Sequence, residues 1–204
     1  MKKIMMATIM AAALTASAQV QDPAILSKAF DSSYIYENSE NYAQALSVLK
    51  KHYDAESYEI NLRLGWLSYL AGDYNESVNY YLKSVNLKPY AIEPRLGYVL
   101  PASAMGNWNQ VMDQYNKILS VDPMNTLVNY RMGLIHYNRA QYDIALKFFE
   151  KVANLYPFDY DNTLMFAWTH FRLGNLREAK VLFQKVLLIQ PGDTSAQEGL
   201  GLIK

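Results

Sequence analysis

From Leu62 onward the apolar residues recur every three or four positions, as Leu62, Trp66, Tyr69 and Leu70, then Val78, Tyr81, Leu82 and Val85. That spacing marks one face of an α-helix, and Gly72 divides it in two. A glycine tolerates the left-handed turn that closes a helix, and Pro89 stands beyond the second helix, where the chain must leave it. The segment therefore predicts an antiparallel helical hairpin. The pattern then repeats: Pro89, Pro123, Pro157 and Pro191 are spaced by 34 residues each time. Gly72, Gly106 and Gly174 each fall 17 residues before a proline, Ala140 stands where the series lacks a glycine, and Gly65 and Gly133 match two periods apart. One hairpin cannot bury both of its apolar faces, so a constant period predicts an all-α stack held by nearest-neighbour burial.

The residues in this register resemble the tetratricopeptide repeat (TPR) family. Segment 58–91 carries Leu64-Gly65, Gly72-Asp73-Tyr74, Ser77, Tyr81, Ser84 and Pro89 in the family's order. Segment 126–159 has Met132-Gly133, Tyr142, Ala145, Phe149 and Pro157, and segment 160–193 has Ala167, Gly174, Ala179, Phe183 and Pro191. Segment 92–125 keeps Gly106, Trp108, Tyr115 and Pro123 but places Pro101 inside its first helix. A weaker copy at 24–57 is marked by Tyr42, Ala45 and Leu49 after the turn Asn38-Ser39-Glu40-Asn41. The resemblance implies a right-handed α-solenoid of about five helix-turn-helix units, closed by a C-terminal capping helix at 194–204.

Packing explains the small residues. Gly65, Gly133, Ala145 and Ala179 are the expected points of close approach, and enlarging Ala145 or Ala179 should cost about 1–3 kcal/mol. Pro101 removes a backbone donor and crowds the carbonyl of Gly97. The expectation there is a tolerated kink, with some bending or hinging between the two halves of the stack as the alternative. In the cap, Leu200, Leu202 and Ile203 are expected to divide between inward packing and exposure, with at most a weak homotypic association through this end.

The start of the chain reads differently. Lys2 and Lys3 precede the apolar run Ile4 to Leu14, and Ala16-Ser17-Ala18 supplies the small residues that a signal peptidase accepts. Residues 1–18 are thus an expected export signal, with the repeat domain at 19–204. The run is shorter than the roughly 20 residues a bilayer span needs, so no stable membrane insertion is expected after its removal. The expected destination is the periplasm or the exterior of a bacterial cell. With no cysteine in the chain, disulfides and thiolate metal sites are excluded. Loss of Lys2 and Lys3 takes the basic count from 19 to 17 against 19 acidic residues, a net charge of −2. Such a balance leaves no electrostatic footprint for nucleic acid.

In the family, fixed places on the first helices line the concave wall. The resemblance places Arg63, Trp66 and Tyr69, then Tyr130, Arg131, Leu134, Tyr137 and Asn138, then Leu164, Trp168, Phe171 and Arg172 on that wall, with Phe30, Tyr34 and Glu37 continuing the strip. Arg63, Arg131 and Arg172 are read as standing at nearly the same place in three units. Aromatic rings and guanidinium groups are the usual anchors of a protein interface, so the implied partner is a protein or peptide. Some family members clamp a partner's terminal carboxylate with lysine and asparagine at set places. Leu62 and Trp66 stand there instead, and that mode is not carried over. A glycan-binding module, with Trp66, Trp168 or Tyr130 stacked on sugar rings, is the alternative.

No glycine-rich phosphate loop, serine elbow or paired-histidine zinc motif is present, and neither catalysis nor a cofactor is expected. His136 and His170 lie one period apart and should pack at equivalent places. Asp159 and Asp161 sit where a helix begins and are explained by its positive end.

Overall fold

The computed structural model describes residues 23–203, and the expected leader at 1–18 lies outside them. These residues form eleven α-helices: α1 Pro23–Asn38, α2 Tyr42–Lys50, α3 Tyr58–Leu70, α4 Tyr74–Leu87, α5 Glu93–Ala104, α6 Trp108–Val121, α7 Thr126–Asn138, α8 Tyr142–Leu155, α9 Tyr160–Arg172, α10 Leu176–Ile189 and α11 Thr194–Leu202. Among the described residues there is no strand, and no helix is long and apolar enough to cross a membrane. The helices fall into two compact units, divided after His52.

In the first unit α1 packs against α2. The turn between them falls at the predicted Asn38–Asn41 and needs a left-handed residue, Glu40, at φ 57°. The Asn41 side chain then caps α2 by accepting from the Gln44 amide. Ala45 and Leu49 are fully buried. Of the strip expected here, Phe30 and Glu37 are half-buried and Tyr34 is exposed.

The second unit is an α-solenoid of four hairpins, α3–α4, α5–α6, α7–α8 and α9–α10, followed by α11. Helices α3, α7, α9 and α11 start where a short polar side chain accepts an otherwise unpaired amide: Ser57 from Ile60, Asn125 from Val128, Asp159 from Asn162 and Asp193 from Ala196, whereas α5 starts after Ile92 with Pro94 in its first turn. The first helices of the hairpins have a common ending. They end at the predicted left-handed residues. Gly72, Gly106 and Gly174 have φ of 82°, 73° and 79°, and Ala140 takes the same turn at 57° with the strain a Cβ brings there.

Burial follows a rule of ring against small residue. A Cβ added to Gly133 would sit 2.6 Å from the Phe149 ring, and one added to Gly65 would sit 3.0 Å from Tyr81. Ala145 and Ala179 are fully buried, as their register demands. Two further glycines carry the rule between hairpins. Gly97 on α5 lies against the other side of Tyr81, where a Cβ would come within 2.2 Å, and Gly199 on α11 meets Phe183 at 2.3 Å. Gly97 is therefore a close-approach point between hairpins. Helix α5 runs on through Pro101 to Ala104 without interruption. The terminal helix divides its apolar residues as expected, with Leu200 and Ile203 half-buried and Leu202 exposed.

Each second helix packs against the first helix of the next hairpin, α4 on α5, α8 on α9 and α10 on α11. First helices also touch one another directly, α3 with α5, α7 with α9 and α9 with α11. They therefore share one face of the unit, and that face positions the candidate site.

Candidate functional site

The first helices of the second unit carry eleven of the twelve wall side chains singled out above in half-buried or exposed positions, and the twelfth is a correction. Arg63 is only 7% exposed, so it belongs to the packing around α3. Arg131, two periods later, is exposed. Arg172 is also exposed, but it occupies the last turn of α9 and not the middle of a helix. The three arginines are thus not equivalent: Arg172 stands at another place on its helix, and Arg63 and Arg131, at the same place, differ in what packs over them.

The structure brings Tyr137 and Arg172 together. Tyr137 on α7 and Arg172 on α9 are neighbours, and the tyrosine side chain raises the arginine pKa further. Tyr137 also meets the Tyr142 ring edge-on at 5.2 Å. Asn138 is exposed beside it. The pair stands where two neighbouring first helices touch, and Leu134 and Leu164 on the same two helices are half-buried.

The aromatic residues occupy the boundary between core and surface. Trp66 is half-buried against the cluster built around Tyr81, Tyr98 and Ile118, with Tyr69 tilted beside it at 5.8 Å. Tyr130 leans on Phe149 at 6.0 Å. Burial pushes its hydroxyl pKa up, Asp161 and Asp159 add to the rise, and Arg131 opposes it. Trp168 meets Phe171 and Phe183 edge-on at 85° and 75°, and its indole N–H donates to Ser195 Oγ at 2.9 Å. Tilted and edge-on rings that already pack on core neighbours offer no row of coplanar platforms, which is the arrangement a sugar-stacking site would require.

The histidines pack. His136 stacks on Phe148 at 5.5 Å and shares a hydrogen bond with Gln141. His170 meets Phe166 edge-on at 4.6 Å, and burial lowers its pKa while Glu178 and Glu150 oppose that shift. Among the described residues no three His, Asp or Glu side chains group as a metal site.

Sequence reasoning missed a second set of polar residues. Asn61 and Asn129, two periods apart, are fully buried. Asn61 donates to the carbonyls of Asp54, Ala55 and Ser57, and Asn129 to those of Pro123 and Asn125. Each ties a first helix to the turn that precedes it, and their shared register was the available signal. Tyr58 on α3 donates to Glu93 on α5 at 3.2 Å, and burial with that neighbouring carboxylate pushes its pKa up to about 12.

Comparison with known proteins follows the same lines. The tetratricopeptide repeat pattern matches residues 58–90, 128–159 and 164–193. Among solved structures, a tetratricopeptide repeat protein from Parabacteroides merdae ATCC 43184 superposes with a TM-score of 0.74 at 19% identity, covering 87% of this chain and 71% of that one. A crystal structure of MamA protein gives 0.70 at 18% identity, covering 81% of this chain and 92% of that one. MamA from Desulfovibrio magneticus RS-1 gives 0.69 at 16% identity, covering 83% and 97%. At these identities the likeness shows the fold. No curated protein matches the sequence.

Proposed function

Because the chain is a tetratricopeptide repeat protein, we propose that it is a non-catalytic scaffold that holds a partner protein or peptide along the first-helix face of its second unit. Proteins of this family are generally non-catalytic and bind protein partners. The observation that carries the reading is the row of half-buried rings on the first helices, Trp66, Tyr69, Tyr130, Tyr137, Trp168 and Phe171, with Arg131 and Arg172 exposed among them. Amphipathic rings with few rotors supply contact area, and guanidinium groups supply fixed donors. An extended or helical segment laid across α7 and α9 would meet both.

The proposed compartment is the cell envelope, supported by the Lys2-Lys3 start, the apolar run and Ala16-Ser17-Ala18. Fractionation with N-terminal sequencing tests it: export should yield a mature chain beginning at Gln19, and an intact Met1 in the cytoplasm would reject it.

The partner reading is tested by affinity capture with mass spectrometry, comparing wild type with an Arg131→Glu/Arg172→Glu double variant. Both side chains are exposed, so the fold should survive, as circular dichroism would verify. A protein recovered reproducibly with wild type should be lost with the variant. Identical recoveries from both would reject the first-helix face as the binding surface.

A further inference from the structure

The second unit carries another patterned surface, at the ends of its helices. All first helices of a hairpin stack run in the same direction, so every turn that joins one hairpin to the next lies along one edge. The residue after three of the four repeat prolines there is apolar and exposed, Tyr90 at 83%, Met124 at 43% and Phe158 at 60%, and Gly192 follows the fourth. They stand 34 residues apart, and neighbouring helices lie roughly 8–10 Å from each other, so the three form a ladder along the edge. Tyr156, on the other side of Pro157, widens it. Trp66 and Trp168 are half-buried in hydrophobic clusters, whereas these side chains project into solvent. Exposed apolar groups gathered on one edge mark an interaction site more than scattered ones do.

Charge selects the occupant. The turns at 121–126, 156–161 and 190–194 carry Asp122, Asp159, Asp161 and Asp193 and contain no lysine or arginine. Asp193 is buried and accepts from Tyr160 at 2.6 Å, and Asp122 is half-buried and also accepts from the Asn125 side chain, whereas Asp159 and Asp161 are exposed. Asp122 accepts from the Met124 amide and Asp159 from that of Asn162. A helix N-terminus contributes only about half a positive charge, so each capped carboxylate retains net negative character. In the 88–93 turn Lys88 is held 5.1 Å over the Tyr58 ring and Arg95 donates to the Pro89 carbonyl, against the single acid Glu93, so the acidic part of the edge is the 121–126 and 156–161 turns.

We propose that this turn edge is a second docking surface, for a partner-protein segment that alternates basic with apolar residues. Apolar side chains of the segment cover Tyr90, Met124 and Phe158, while its lysines or arginines meet Asp122, Asp159 and Asp161. The edge lies at the ends of the helices and involves none of the first-helix side chains assigned above, so it stands independently of that reading.

The test uses a fluorescein-labelled 12-residue peptide of alternating leucine and arginine, titrated onto the full chain by fluorescence anisotropy in low salt. A control peptide replaces arginine by glutamate. Saturable binding of the basic peptide alone is expected. Tyr90→Ser/Phe158→Ser should weaken it about tenfold or more, and Asp161→Asn about two- to fivefold, an effect that salt should erase. Arg131→Glu/Arg172→Glu should leave it unreduced. Because all of these positions are exposed, far-UV circular dichroism should show an unchanged fold. The proposal is overturned if the basic peptide does not bind, if the acidic peptide binds equally, or if the serine variant binds as wild type does. Loss of binding only in the arginine variant would place the peptide on the first-helix face and would also overturn it.

Discussion

Hairpins α5–α6 and α7–α8 occupy the same register, yet they are built on opposite solutions to one packing problem. In α7–α8 the facing positions are Gly133 and Ala145, and Phe149 fills the space between helices that come close together. In α5–α6 the same positions hold Val99 and Val111, with Tyr115 for the ring, and Pro101 interrupts the hydrogen-bond ladder of α5. The valines are buried nonetheless, and the two helices pack less tightly than those of the other hairpins. A period of 34 residues thus fixes the chain path without fixing interhelical distance, which follows side-chain volume at two or three places. The wider hairpin keeps its place because its first helix retains a tight contact with the preceding one, through Gly97 and the Tyr81 ring.

The comparison breaks most severely at the rings. Phe149 is fully enclosed while Tyr115 retains slight exposure, so Phe149→Ala should cost about 4 kcal/mol of unfolding free energy, near the middle of the range for buried aromatics. Tyr115→Ala should cost clearly less, because the wider hairpin can relax into the space. Urea titrations of both variants decide the matter, and equal losses would refute the contrast. Next in size, Gly97→Val drives a side chain into Tyr81, which Gly65 backs on its other side at 3.0 Å. The ring cannot retreat, and a loss of about 3 kcal/mol is expected, at the upper end for overpacking.

Pro101 sharpens the comparison from the other side. Replacing it by alanine restores an amide that can donate to the Gly97 carbonyl, so Pro101→Ala should stabilise the chain by about 1–2 kcal/mol, some of the usual interior-proline penalty being offset by a more flexible unfolded state. Native-state hydrogen exchange should then show the slowing confined to α5–α6. Slowing spread evenly over all hairpins would mean that the proline was not the local cause.

How much of this was legible in the sequence follows from which interactions are local. Hairpin limits, the left-handed turns and the Gly65 and Gly133 contacts recur at fixed spacing, and each depends only on neighbours one helix away. The role of Gly97 was hidden because its contact with Tyr81 crosses to the preceding hairpin and its place holds Arg63, Arg131 and Met165 in the other units, while Pro101 stands four residues away and invites a local explanation. Arg63 was misplaced for a related reason. Its charge argues for solvent and its register matches that of the exposed Arg131, so only the neighbours packed around α3 decide its burial. Asn61 and Asn129 were legible in register but silent in chemistry until the turn carbonyls they bind were in place. Of the interaction face, residue types could be read from the chain, whereas ring orientation could not.

The smallest effect distinguishes the hairpins by pH. The register that holds His136 and His170 holds Ala102 in α5, so the wide hairpin lacks an imidazole at this place. Burial against Phe166 lowers the His170 pKa below its ordinary value, and Glu178 and Glu150 only partly oppose that shift. A histidine whose folded pKa is depressed binds its proton more readily in the unfolded chain. Its contribution to stability is therefore fully present above the unfolded value of about 6.5 and is lost as pH falls through that value. Amides of α9 and α10 should exchange faster relative to those of α5 and α6 at pH 5.5 than at pH 7, once the intrinsic pH dependence is divided out. His170→Phe removes the titrating group but keeps a ring for Phe166, and should flatten the difference. If the wild-type ratio stays constant, or if the variant keeps the same slope, the imidazole is not what sets the two hairpins apart in acid.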